Sequence, residues 1–212
     1  MIGEPKSEEE SRKPISSYFS NVLDIVKRDK DFRLFLLTRV LAGFHMMIIP
    51  YYVVYFKEVA GVAEGFIGIY LMARVFGGAV SNFLWGRVAG RAPEKVILFC
   101  LLIAGITPLV ALGITSFNPL YYSAVFVLAG SAINARMVGF NTHLLELAPE
   151  EKRATYSGVR GTTIALTAPL PFLAGGLIEF FSFKFAFIFV SATMLIGMGI
   201  NLIHYDFRWA GS

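Results

Sequence analysis

Residues 95–115 read KVILFCLLIAGITPLVALGIT, and after Lys95 twenty residues pass without a charged side chain. An α-helix rising 1.5 Å per residue needs about 20 such residues to cross a hydrocarbon core roughly 30 Å thick. Five more stretches qualify, near 32–56, 66–88, 120–145, 154–178 and 184–205. Short breaks part them, at Gly61–Gly65, Gly86–Lys95, Ser116–Pro119, Pro149–Arg153 and, more weakly, Phe180–Phe183. The expected fold is all-α and integral to a membrane, with six transmembrane helices joined by tight turns, so that neighbours run antiparallel.

Composition agrees. Of 212 residues 56% are hydrophobic and 16% charged, where a soluble domain carries roughly 25% charged. The formal net charge is +4, but the basic residues sit in loops between apolar stretches, which argues against nucleic acid as a partner. Cys100 is the single cysteine and cannot form an internal disulfide. The chain divides into a polar N-terminal segment, 1–30, and a six-helix domain, 31–207. The segment shows no secretory signal pattern. Within it Ile15, Tyr18, Phe19, Val22, Leu23 and Val26 recur at helical spacing before Lys27, Arg28 and Lys30. They form either an amphipathic helix on the membrane surface or a continuation of the first span.

Positive charge sets the orientation. Lys6, Arg12, Lys13, Lys27, Arg28, Lys30, Arg33, Arg87, Arg91, Lys95, Lys152, Arg153 and Arg208 fall on one side, against Lys57 and Lys184 on the other. Thirteen against two places both termini in the cytoplasm of a cell-membrane protein. The stretches 32–116 and 120–206 have nearly equal length and three spans each, as an inverted 3+3 repeat requires. No residue-level match between them adds to this, and three repeats of two helices fit worse.

Ionisable groups at membrane depth are expensive and face a bundle interior or a watery cavity. Arg39, Arg74, Arg136 and Arg160 lie in spans 1, 2, 4 and 5. Spans 3 and 6 have none, as lipid-facing elements should. On span 1, Thr38, His45 and Tyr52 share a face with Arg39 beside it. Tyr70, Arg74, Gly78 and Ser81 align on span 2, and Tyr156, Arg160, Thr163 and Thr167 on span 5. On span 4, Asn134 and Asn141 share one face while Arg136 and His143 share a nearly opposite one, so one cavity cannot receive all four. Arg39 lies only about 10 Å beyond Phe32, close enough to snorkel to the interface, and Arg160 has the same freedom; Arg74 and Arg136 lie deeper. No Asp or Glu stands at mid-membrane, which points to an anionic solute or to carboxylates from a second polypeptide. Pro50, Pro169 and Pro171 remove backbone donors, which a cavity tolerates.

The loop Gly86-Arg87-Val88-Ala89-Gly90-Arg91-Ala92-Pro93-Glu94-Lys95 resembles the signature loop of the major facilitator superfamily. Gly86, Arg91 and Lys95 match, Gly90 stands where that family has its gating Asp, Pro93 replaces a Gly and Glu94 an Arg. The stretch Asn141 to Pro149 with Arg153, Tyr156 and Gly158 resembles the linker between the family's tenth and eleventh helices. Asp31 to Leu36, leading to Pro50-Tyr51-Tyr52, resembles the approach to its seventh. The resemblance covers 15–206 and implies the C-terminal six-helix half of a transporter. In each half of that family the first and fourth helices line the solute cavity, the second and fifth form gates and the contact between halves, and the third and sixth lie outside.

The function expected is translocation of a small solute, an organic anion by the arginine argument, through alternating access against a second six-helix half. Substrate contacts are expected from Arg39, His45, Tyr52, Asn134, Arg136 and Asn141, and gating from Arg74 with Gly86, Arg91 and Lys95 of the loop. The partners are the lipid bilayer, the solute, and a second half that is another copy, a separate chain or the remainder of a longer one. A competing reading is a non-transporting membrane module that binds or regulates a partner membrane protein. No cofactor or metal is expected. An enzyme is disfavoured, because neither a Gly-x-Ser-x-Gly elbow nor a metal-spaced histidine pair is present.

Overall fold

A computed structural model describes residues 26–114 and 118–209, without the side chains of Leu166 and of residues 204–209. Most of the expected amphipathic segment 15–30 therefore lies outside the described residues, as do Ser116 in the third connection and the side chains of His204 and Arg208. Helix α1 (Lys30–Glu58) starts where Asp29 caps it, its carboxylate accepting from Phe32 N at 2.9 Å, with Asp31 in the first turn and Lys57 in the last. Those charges complement the helix dipole. Helix α2 (Ile67–Ala89) follows a short 3-10 turn, and α3 (Pro93–Gly113) opens on a proline whose missing N–H costs nothing there. Asn118 accepts from Leu120 N at 3.0 Å and starts the turn into α4 (Ser123–Leu147).

The fifth span differs from the single helix that hydropathy suggests. It consists of α5 (Arg153–Thr167) and α6 (Leu170–Phe180), parted at Ala168–Pro169. Pro169 and Pro171 lack the N–H groups that would bond to Ala165 and Thr167, and Ala168 N turns instead to Ala165 O at 3.2 Å. Pro50 leaves α1 continuous. Helix α7 (Phe183–Trp209) begins after the Phe180–Phe183 turn. Six stretches are long and apolar enough to cross a membrane, and no strand occurs among the described residues.

Packing pairs α2 with α4, and α1 with both pieces of the fifth span; α3 lies between α4 and α7, and α7 between α1 and α3. At one end the core is aromatic. Phe56 stacks on Tyr122 at 4.3 Å and Tyr70 on Phe126 at 4.7 Å, while Tyr52 and Tyr55 meet Phe187. Tyr70 Oη satisfies itself by donating to Pro119 O at 2.9 Å. At the other end Phe32 packs on Tyr156, whose hydroxyl donates to Asp29 Oδ2 at 2.8 Å.

Burial divides the spans differently from the sequence reading. Half of the apolar stretch of α3 is buried (50%) and 39% of that of α7, against 17% for the second span and 12% for the fifth. A helix that is apolar all round suits lipid or a protein neighbour equally, so the absence of charge in spans 3 and 6 did not decide which they face. Asn201 on α7 also escaped notice. It is buried and donates to Thr38 Oγ1 at 2.7 Å and Gly197 O at 2.8 Å, which turns the Thr38 face of α1 into the bundle.

Candidate functional site

Between the aromatic end and the Asp29 end lies a polar cluster drawn from α1, α4 and α5. Arg39 stands in the third turn of α1, its Cζ 5.2 Å from the centre of the Phe140 ring on α4, a cation–π distance. One helical turn further along α1, Arg136 of α4 donates from Nη1 to Ala42 O at 3.5 Å. Arg160 of α5 donates from Nη1 to Asn141 Oδ1 of α4. The positive charges of Arg136 and Arg160 both act on Arg39, and that of Arg136 also on His45.

Several donors in this cluster remain unused. Nε and Nη1 of Arg39, Nε of Arg160 and Nε2 of His45 are buried and meet no hydrogen-bond partner. Among the described residues, none of the three guanidiniums pairs with a carboxylate; the ion pairs found are Lys57–Glu64, His143–Glu146 and Arg153–Glu150. Buried polar groups are normally satisfied, so these donors call for an acceptor from outside the described residues. Cys100 also lies in range of Arg39 and Arg136, with its thiol directed to Ala132 O at 3.4 Å.

Of the expected substrate contacts, the structure brings Arg39, His45, Arg136 and Asn141 to this cluster. Tyr52 is wholly buried in the aromatic end, its hydroxyl without a partner. Asn134 lies against Gly78 in the α2–α4 contact and donates to Gly130 O at 3.5 Å. Arg74 is half-buried on α2, where its carbonyl faces Gly130. Gly86, Arg91 and Lys95 are exposed around the α2–α3 turn, and Lys95 edges an apolar groove between α3 and α7 with Leu98, Phe99 and Met198.

Arg160 and Phe140 are the members that sequence reasoning left out of the site. The signal for Arg160 was present in its alignment with Tyr156, Thr163 and Thr167, whereas Phe140 gives none. The ligand atoms near enough to hold a metal belong to Glu94, His143 and Glu146, within 4.8 Å of one another where α3 begins and α4 ends. His143 Nδ1 lies 3.8 Å from Glu146 Oε2, and Glu94 occupies the first turn of α3, where a carboxylate complements the dipole. This is the chemistry of paired helix ends.

Six apolar spans, with three arginines between them that meet no carboxylate among the described residues, define a multi-pass membrane protein. Residues 32–206 match the family model of the Major Facilitator Superfamily, and the chain belongs to that family. Its members are transporters, not enzymes, so the bilayer and a small solute are this protein's partners. No curated protein and no solved structure matches the chain.

Proposed function

We propose that the chain forms one half of a secondary transporter and carries a small anion by alternating access against a second six-helix half. The observation that carries this reading is the convergence of Arg39, Arg136 and Arg160 from three helices with no carboxylate partner among the described residues. A guanidinium deep in a membrane span costs at least ~2.5 kcal/mol on insertion scales, and an organic carboxylate or phosphate offsets that cost once in each cycle. Arg136 is the central contact, with Arg39 and His45 beside it and Arg160 across from α5.

The neighbour relations support a 3+3 inverted repeat. Exchanging spans 1 with 4, 2 with 5 and 3 with 6 maps the α2–α4 pair onto span 5 with α1, the α3–α4 pair onto α7 with α1, and the α3–α7 pair onto itself. The bareness of the second and fifth spans supports a second half that covers them. The thirteen-to-two division of basic residues supports cytoplasmic termini. A cysteine at Glu64 should then label from outside intact cells and one at Arg91 only after permeabilisation, and the reverse pattern would overturn the orientation.

The functional test is uptake by the reconstituted protein across a panel of labelled carboxylates and phosphates. Arg136→Gln should abolish it with membrane insertion intact, and Arg136→Lys should restore only part, because lysine lacks the planar fork. Normal transport by Arg136→Gln, or its rescue by a charge swap with a carboxylate of the second half, would overturn the anion reading in favour of ion pairs across the interface.

A further inference from the structure

The cluster constrains the charge of its ligand as well as the sign. Guanidinium groups stay protonated in proteins, so three positive charges meet here: Arg39 over Phe140, Arg160 on the adjacent Asn141, and Arg136 on Ala42 O one turn along α1 from Arg39. A single carboxylate would offset one and leave two like charges facing each other. The unused nitrogens are also divided between elements: two belong to Arg39 and one to His45 on α1, and one to Arg160 on α5. Arg136 commits a donor to the α1 backbone and Arg160 commits one to Asn141, so both are held in place while the remaining N–H groups stay available.

We propose that the solute carries at least two negative charges, as a dicarboxylate or a phosphate monoester, and bridges Arg39 of α1 to Arg160 of α5. This rests on the anion reading above. A dianion has oxygen acceptors enough for both arginines, and it neutralises most of the repulsion between them. Its arrival also holds α5, part of the least buried span, against α1, so ligand charge is coupled to closure of that side. Asn141 acts as a positioning residue, holding the Arg160 guanidinium from α4.

The test uses the full chain in lipid nanodiscs and pairs of ligands matched in size but not in charge. Methyl phosphate is compared with dimethyl phosphate, and succinate with its monomethyl ester. At pH 8 the first of each pair is a dianion and the second a monoanion, since a phosphate monoester's second pKa is near 6. In at least one pair the dianion should bind about tenfold or more tightly by calorimetry, and which pair does so distinguishes phosphate from dicarboxylate. Arg160→Gln should weaken the dianion more than the monoanion and shrink that ratio, while Arg160→Lys should retain part of it. Equal binding of dianion and monoanion in both pairs would overturn the charge requirement and leave the anion site standing. Failure of all four to bind would overturn both. Should Arg160→Gln not fold, the matched pairs on the unaltered chain decide the question alone.

Discussion

Two helix pairs in this bundle, α2 with α4 and α1 with the fifth span, are built in opposite ways. Where α2 meets α4 the backbones touch: a methyl group on Gly77 would strike the carbonyl and Cα of Val127, and one on Gly130 would strike the carbonyl of Arg74. Where α1 meets the fifth span, side chains make the contact. Thr167 fills the space above Gly43, and Tyr51 reaches over Gly175 to donate to Pro171 O at 3.0 Å. In a membrane, close backbone approach through small residues is a main source of helix association. Backbone contact leaves no rotamer to adjust, so α2 and α4 should move as one body. Contacts through Tyr51, Tyr156 and Thr167 can open and form again. The difference teaches which part of the bundle is frame and which part is able to move.

Methyl groups added to each pair should expose the contrast most clearly. Gly130→Ala has backbone in its way on α2 and should destabilise the protein by up to about 3 kcal/mol, the upper range for overpacking, read as a large fall in midpoint temperature in detergent. Gly43→Ala meets Thr167 Cγ2, the end of a side chain, 2.6 Å away. Rotation of that threonine should hold the cost to about 1 kcal/mol. Equal losses from the two variants would break the distinction between a rigid and an adjustable pair.

An effect between those two is expected from Tyr156→Phe, which removes the bond to Asp29 Oδ2 while keeping the ring on Phe32. A hydrogen bond to a charged group is worth roughly 1.5 kcal/mol at the lower end of its range. Hydrogen exchange should quicken across α5 and leave α4 unchanged. Quickening in both would mean that the fifth span is tied to the frame after all.

The six spans were legible because membrane crossing is a matter of length and apolarity, both written along the chain. The break in the fifth was half legible: Pro169 and Pro171 announced missing donors, but Pro50 did the same in α1 without parting it. The site was legible in its residue types more than in its membership. Helical spacing shows which side chains share a face of one helix, yet it cannot show how that face is turned toward another. Asn134 and Arg136 went to different neighbours for this reason, one to Gly78 and the other to α1. Depth along the chain was also a poor guide. Arg39 and Arg160, which had the freedom to snorkel, are the ones gathered with Arg136, while Arg74, expected to lie deeper, stands on α2 with its carbonyl against Gly130.

The paired prolines of the fifth span limit what can stand beside it. Pro171 offers no N–H to the carbonyl of Thr167, and that oxygen lies midway along a span of which only 12% is buried. A carbonyl without a donor is costly in hydrocarbon and is tolerated where it lines a wet cavity or faces protein. The kink therefore calls for water or a protein donor, and not lipid, beside the middle of the fifth span, a requirement set by two residues that carry no charge and donate nothing themselves.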